Sequence, residues 1–556
     1  MTKITRREFV KDAVVITAGV AASPIIASPT FDLVIKNGMI LDGTGGPAFP
    51  ADIGISGASI KAVSSITPEQ GERVIDASGR YVCPGFIDIH SHSDGSILGY
   101  PDAESRVFQG ITTELTGNCG SSVVPMTGIG VEERKKAWKE QEDVEVDWTD
   151  LDSYFKRLER EKISIHQALL LGQGTLRESS IGNVDRPLSK EELQTILRLV
   201  EEGMDQGAFG ISTGLEYTPG RYTPTQEIVE MAQIVSRRGG LYASHIRNEE
   251  ATLLEAVNEA IEIGRRTGVR VEVSHLKAAG RVNWSKQMGA ISLLESAQRD
   301  GIEVLADAYP YTAYSTGLTV YLQAWALEGT TQDLMKRLKD TQSRARIRSE
   351  LIKHIPNEPG SFDLIVVSSV VSQKNRSTIG RNLSELGEMW KMEAVDAMLR
   401  LLEEEEASVS IVGHGMSPEN VRAVLSHPLV MIGSDGSTMA PRGKLGETRP
   451  HPRSYGTAPR VLGTYCREQK LFDITTAVKK MTGMPAHQIS IRDRGRIAKN
   501  LKADIVIFNA ETVKDTASFE APHRYPTGIE YVLVDGVVVV DQGKHTGARP
   551  GKVLRM

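Results

Sequence analysis

The sequence has 556 residues, with 65 Lys and Arg against 71 Asp and Glu, 40% hydrophobic and 24% charged residues, and three cysteines. A formal net charge of -6 over that length supplies no broad basic field for nucleic acid or an anionic membrane, and Cys83, Cys119 and Cys466 are too few and too scattered for a disulfide framework. A large core is available, either as several units of roughly 150 residues or as one barrel of about 250 with additions, and the odd cysteine leaves at least one thiol to be explained.

Residues 1–28 read as an address. Arg6-Arg7-Glu8-Phe9-Val10-Lys11 precede an apolar run from Ala13 to Ala22, followed by small residues and Pro24, which resembles a twin-arginine export signal cleaved near Ala27. The run is too short for the roughly 20 residues of a spanning helix, and nothing later is apolar for long enough. The expected consequences are export machinery as a partner of the precursor, no membrane anchor in the mature chain, and a periplasmic or extracellular location.

From Phe31 the pattern changes to short strands. Phe31 to Lys36 runs into Asn37-Gly38, a turn signal, before Met39 to Leu41 resume, and Asp52 to Ile55, Ser59 to Val63 and Arg73 to Ile75 follow. A matching set lies near the other end: Asp504 to Phe508, Ile529 to Val534 and Val537 to Asp541. The economical arrangement is one small β-sandwich built from 31–83 and 500–556, with the long middle, 84–499, folded separately.

That middle alternates strand-like and helix-like segments. Strands are expected at Gly85 to His90, Ile111 to Thr116, Ile163 to Leu171, Ala208 to Ser212, Leu241 to His245, Val269 to His275, Ile302 to Asp307 and Leu429 to Ser434. Helical stretches such as Lys190 to Gln206, Gln226 to Arg238, Glu249 to Thr267 and Ser285 to Asp300 separate them. The fold class is therefore α/β, a closed TIM-like (β/α)8 barrel with the terminal β-sandwich. About a hundred residues interrupt the rhythm after Tyr309-Pro310-Tyr311, and an inserted subdomain or lid is expected within 313–410. Glu403 to Glu406 reads as a solvated helix end.

Polar residues fall at the ends of those strands. His90 and His92 close the first, two residues apart and so on one face. Cys119 follows the second, His245 and His275 end two later ones, and Asp435 closes the last. In a barrel these C-terminal strand ends share the face that carries chemistry. Any one of these residues is most often structural, a hydrogen-bonded histidine or a small buried thiol. Together, imidazoles, a thiolate and a carboxylate form a ligand set suited to zinc over Mg²⁺ or Ca²⁺.

The motifs Gly117-Asn118-Cys119-Gly120, Gly210-Ile211-Ser212-Thr213-Gly214-Leu215, Ser274-His275-Leu276-Lys277, Tyr309-Pro310-Tyr311, Ser434-Asp435-Gly436 and Pro450-His451-Pro452-Arg453, after the His90-Ser91-His92 pair, resemble the N-acyl-D-amino-acid deacylases of the amidohydrolase superfamily. The resemblance covers nearly the whole chain from residue 31. It implies a zinc-dependent hydrolase that splits N-acyl-D-amino acids, small-molecule substrates, into a carboxylate and a free D-amino acid. It implies a tight zinc position at Cys119, His245 and His275, and a second, weaker one at His90 and His92 that Cys119 bridges. Asp435 would take a proton from the metal's water and pass it to the departing amine, while Lys277, Tyr309 and Arg453 hold the substrate's α-carboxylate. Tyr311 stands beside Tyr309 as a second candidate, and His414 is a candidate pocket residue, though an ordinary loop histidine is the plainer reading.

Three other readings compete. Gly210-Ile211-Ser212-Thr213-Gly214 matches the G-x-S-x-G serine-hydrolase elbow, but Pro219-Gly220 soon after it disfavours the helix that an elbow requires. A cyclic amidase of the hydantoinase or dihydropyrimidinase kind stays within the superfamily, where a carboxylated lysine usually stands in place of Cys119. A metal-free, non-enzymatic relative is opposed by all six metal and acid-base positions being filled. Cys83 and Cys466 are left as core or near-core thiols.

Overall fold

A computed structural model describes residues 30–556; the expected export signal lies outside the described residues. The chain begins with β1 (Phe31–Ile40), β2 (Phe49–Ser56), β3 (Ser59–Ser64), β4 (Gly71–Asp76) and β5 (Tyr81–Pro84). The barrel strands follow: β6 (Phe86–Asp88), β7 (Ile111–Thr116), β8 (His166–Leu169), β9 (Leu171–Gly172), β10 (Gly210–Gly214), β11 (Leu241–His245), β12 (Arg270–Val273) and β13 (Val304–Ala308). Next come β14 (Tyr314–Gly317), β15 (Ile365–Val370) and β16 (Val409–Gly413), the last barrel strand β17 (Val430–Ile432), and then β18 (Ile505–Phe508), β19 (Ile529–Val534), β20 (Val537–Asp541) and β21 (Lys544–His545).

Strands from both ends of the chain make one nine-stranded sheet, ordered β21-β20-β19-β18-β5-β1-β2-β3 with β4 also on β1. Its core joins Leu33, Ile35, Ile53, Ile75 and Val82 to Ile505, Ile507 and Leu533. The antiparallel β5–β18 pairing carries the closure, with Val506 opposite Cys83. The expected turn at Asn37-Gly38 does not end a strand. Asn37 takes a left-handed φ of 60°, but β1 continues through it as a bulge, and the pairing with β2 resumes at Gly38.

The barrel consists of two parallel sheets, β6-β7-β8 and β17-β13-β12-β11-β10-β9. They are joined on one side because β8 and β9 are one strand interrupted at Leu170, and on the other by a parallel bridge between Ser91 and Gly436. Asp435 N donating to His90 O and His92 N donating to Gly436 O, both at 2.8 Å, complete that seam. The interior is filled by Ile87, Ile89, Leu115, Ala168, Phe209, Leu241, Ala243 and Met431. Outer helices bury one stripe each. In Lys190–Asp205 it is Ile196, Val200, Gly203 and Met204, and Ser189 caps the helix by accepting from Glu192 N.

Between β13 and β17 the chain builds a small antiparallel sheet, β14-β16-β15, with a core of its own that includes Tyr314, Leu318, Leu338, Ile365, Leu386, Met398 and Ile411. One expectation fails here. Glu405 is 4% exposed and accepts from the backbone of Val371 and Ser372 and from Asn375 Nδ2, so part of the acidic run is a buried loop clamp.

The residues after β21 leave the sheet and run beneath the barrel, at the entry ends of its strands. Gly551 N donates to Ile163 O, Gln167 N to Lys552 O and Leu554 N to Gln167 O. Lys552 N also donates to His166 Nδ1 at 3.0 Å, beside a buried cluster in which Arg494 meets Asp504 and Asp535. No helix among the described residues is long and apolar enough to cross a membrane.

Candidate metal centre

The polar strand ends converge as their spacing requires. His90 and His92 follow β6, Cys119 follows β7, His245 is the last residue of β11, His275 follows β12 and Asp435 follows β17. Three of these residues sit in the left-handed region that non-glycine residues rarely occupy: Cys119 at φ 52°, His275 at φ 36° and Asp435 at φ 51°. Such a conformation costs roughly 1–3 kcal/mol and persists only where surrounding contacts fix it.

The contacts that fix Cys119 come from the motif that imitates a serine elbow. Ser212, fully buried, accepts from Gly120 N at 3.0 Å and donates to Gly117 O, so its hydroxyl clasps both sides of the cysteine loop. Gly214 lies so close beneath that a Cβ there would come within 2.0 Å of Cys119 O. With both backbone partners engaged, Ser212 is a structural hydroxyl, and the serine-hydrolase reading is excluded.

Around Cys119 each of three imidazoles turns one nitrogen inward and the other to a carboxylate. His90 gives Nδ1 to Asp307 Oδ2 at 3.0 Å and turns Nε2 to Cys119 Sγ at 3.3 Å. His275 gives Nδ1 to Glu249 Oε1 at 2.8 Å and turns Nε2 to Sγ at 3.4 Å. His245 gives Nε2 to Glu216 Oε2 at 3.1 Å and turns Nδ1 to His275 Nε2 at 3.0 Å. Carboxylate-backed imidazoles of this kind characterise metal sites, because the outer acid sets the tautomer and ring direction. With Zn–S near 2.3 Å and Zn–N near 2.0–2.1 Å, a tetrahedral zinc separates its sulfur and nitrogen ligands by about 3.5 Å. The observed spacings suit that geometry. Cys119, His245 and His275 form one candidate ligand group, and His90, His92, Cys119 and Asp435 form another that shares the sulfur.

The electrostatics agree with this chemistry. Burial opposes ionisation of Cys119, but the charges of His90 and His275 and hydrogen bonds from His245 and His275 outweigh it and hold the thiol well below its ordinary value. Burial likewise opposes Asp435, and Arg453, His90 and His92 keep it firmly ionised. Burial lowers His92 and His245, yet Asp435 and Cys119 push His92 up to about 9, and Glu249, Cys119 and Glu216 push His245 up to about 10. The cluster as a whole favours positive charge, which a divalent cation brings.

Of the expected carboxylate anchors, Arg453 and Lys277 line the same cavity of about 410 Å³ as the donor cluster. Arg453 Nη1 pairs with Asp435 Oδ2 at 2.7 Å, and Lys277 Nζ with Glu249 Oε2 at 2.5 Å. Tyr309 is 2% exposed and does not line that cavity; its ring lies 4.8 Å beneath the Arg453 guanidinium carbon. Tyr311 is farther off, stacked under Arg460, and His414 packs on Phe519 outside the cavity. The sequence reading missed Glu216, Glu249 and Asp307. Asp307, a lone carboxylate in the apolar strand Val304–Ala308, carried a usable signal; the loop glutamates carried none.

Fold and site together define a metal-dependent hydrolase, and the chain belongs to the amidohydrolase family, which matches residues 73–287 and 378–540. Within it the similarity is to the N-acyl-D-amino-acid deacylases. The chain is 34% identical over 524 residues to the N-acyl-D-glutamate deacylase of Alcaligenes xylosoxydans xylosoxydans, covering 94% of this chain and 96% of that one. It is 32% identical over 531 residues to the D-aminoacylase of the same organism, covering 95% and 98%. The crystal structure of N-acyl-D-glutamate deacylase from Bordetella bronchiseptica, complexed with zinc and a phosphonate mimic of the tetrahedral intermediate, matches with a TM-score of 0.81 at 31% identity, over 95% of this chain and 100% of that one.

Proposed function

We propose that this protein is a zinc-dependent hydrolase that cleaves the amide bond of N-acyl-D-amino acids, yielding a carboxylate and a free D-amino acid. The observation that carries the reading is the Cys119 thiolate ringed by three carboxylate-backed imidazoles beside the ionised Asp435. Cys119, His245 and His275 would hold the tight zinc, and His90, His92 and Asp435 a weaker second position across the shared sulfur. When bound, zinc supplies Lewis-acid polarisation and makes water acidic near neutral pH.

The chain's own residues supply the rest. Asp307, Glu249 and Glu216 hold the imidazoles in the tautomers that point inward. Asp435 is a carboxylate at ordinary pH, and its Oδ1, which His92 Nε2 contacts at 3.0 Å, would accept a proton from water and return it to the amine nitrogen as the amide breaks. Arg453 and Lys277 bind the α-carboxylate, the guanidinium as a directed fork and the ammonium as a point charge. Tyr309 supports Arg453 from below. Thiolate at Cys119, where cyclic amidases usually carry a carboxylated lysine, favours the linear-amide reading. Assay of paired N-acetyl-D- and N-acetyl-L-amino acids (Leu, Met, Glu, Asp), with zinc content measured on the same preparation, tests it; preference for the L series overturns it.

We infer also that residues 1–28 direct export by the twin-arginine route to the periplasm or beyond, on the strength of Arg6-Arg7 and the short apolar run. That route carries folded protein, so Cys119 would be ligated before meeting an oxidising compartment. Fractionation that finds the protein only in the cytoplasm with residues 1–28 intact overturns this.

A further inference from the structure

Beyond the metal centre, the cavity that holds Arg453 and Lys277 continues to a wall formed by Glu216, Glu250 and Glu358, with Arg221 and His354. Most charges around this cavity are matched. Asp435 pairs with Arg453, Glu249 with Lys277, and Glu178 with Arg134. Glu216 is occupied by His245 and by Glu249 N. Glu250 and Glu358 are different. Glu358 is 5% exposed, and its only hydrogen bond among the described residues is from the Tyr314 hydroxyl to Oε1, so Oε2 has no partner. Among the described residues the Glu250 carboxylate accepts no hydrogen bond, and the basic group nearest to it is His354 Nε2 at 4.0 Å. Burial lowers His354, so the charges that oppose the two acids are Arg221 at Glu250 and Lys277 at Glu358.

We propose that this wall is a cation-accepting subsite, in which Glu250 and Glu358 receive the ammonium or guanidinium at the end of the substrate's side chain, so that N-acyl derivatives of basic D-amino acids are the preferred substrates. The inference rests on the deacylase reading above and sharpens it. A carboxylate buried without a partner is costly, and a charge-assisted bond to a cation removes that cost while a neutral side chain does not. Burial and the nearby Glu358 push Glu250 up to about 9, and burial with Glu216 and Glu249 pushes Glu358 up to about 8, the state of acids that lack a cation. The anchor and the wall belong to one cavity, which Lys277 and Glu358 both line. A substrate held by its α-carboxylate at Lys277 can therefore extend a long basic side chain to the wall. An acidic side chain, of the kind named for the glutamate and aspartate deacylases among the relatives, would gain no charge-assisted bond from these two acids and would have only Arg221 to meet on this wall.

The test compares N-acetyl-D-lysine and N-acetyl-D-arginine with their uncharged counterparts, N-acetyl-D-norleucine and N-acetyl-D-citrulline, and with N-acetyl-D-glutamate, on the zinc-loaded full protein. The expected result is a kcat/KM at least tenfold higher for each cationic substrate than for its counterpart, carried by KM. Glu358→Gln and, at the more accessible position, Glu250→Gln should each remove most of that ratio while leaving zinc content and turnover of N-acetyl-D-norleucine unchanged. Equal rates for charged and uncharged partners, or preference for N-acetyl-D-glutamate, overturn the subsite and leave the deacylase reading standing. Glycyl-D-leucine favoured over N-acetyl-D-leucine, with no side-chain preference, overturns it by moving the cation to the acyl group. No turnover of any N-acyl-D-amino acid overturns the parent reading, and the subsite with it.

Discussion

Ser212→Ala separates scaffold from chemistry. In the native protein the Ser212 hydroxyl joins Gly120 N to Gly117 O across the loop that carries Cys119, and all of this is buried. Alanine leaves a buried donor and a buried acceptor without partners. Each such group costs about 1–3 kcal/mol, so about 2–4 kcal/mol is expected after partial relaxation. The loop has little room to relax, because Gly214 lies directly against Cys119 O. The loss should divide between stability of the zinc-free protein, read by urea denaturation, and zinc affinity, read by competition with a chromophoric chelator. If about 2 kcal/mol fell on zinc alone, affinity would drop about 30-fold. At saturating zinc, kcat should stay within about threefold of the parent, because Ser212 touches no substrate. A fall of about a thousandfold in kcat with zinc bound and stability intact would refute this reasoning and restore Ser212 as a nucleophile.

Other outcomes are equally specific. Asp435→Asn should keep its zinc, measured by metal analysis, and lose roughly 10²- to 10⁴-fold in kcat as the proton relay disappears; near-parental turnover would remove Asp435 from the relay. Exhaustive chelation should abolish hydrolysis and added Zn²⁺ should restore it, with turnover by metal-free protein as the contrary result. Arg494→Met should destabilise the fold by about 3–5 kcal/mol, since it strands Asp504 and Asp535 beneath the barrel. Burial raises both of these acids, but His166 and Arg494 outweigh it and hold them below their ordinary values. Their stabilisation is therefore full above the unfolded carboxylate pKa of about 4 and is lost as pH falls further. Urea midpoints should decline below about pH 4 in the parent, and Arg494→Met should flatten that decline.

What the sequence made legible depended on locality. The barrel strands and the donors at their ends follow from period and position, because a polar residue that closes an apolar strand has few places to go; His245 and Asp435 are examples. Glu216 and Glu249 escaped because they stand on irregular loops and act through histidines brought to them by other strands. The small sheet of β14, β15 and β16 pairs Tyr314 with Gly413, a partner that no local pattern announces. Asn37-Gly38 looked like a hairpin because its preference for left-handed backbone serves a bulge as well as a turn. Glu405 looked solvated because a run of four acids usually is, and only the loop at 371–375 gives it donors.

The segment beneath the barrel bears on how the protein is made. Residues 551–554 are synthesised after every strand of the barrel and of the sheet, yet they satisfy backbone groups of Ile163 and Gln167 and the ring of His166. The edge of β5 is likewise covered only by β18, from the far end of the sequence. A nascent chain still attached at residue 540 therefore has its metal ligands but an open floor and an incomplete edge. A product truncated before residue 551 would keep every residue of the ligand set yet present that open floor to the cell's proteases.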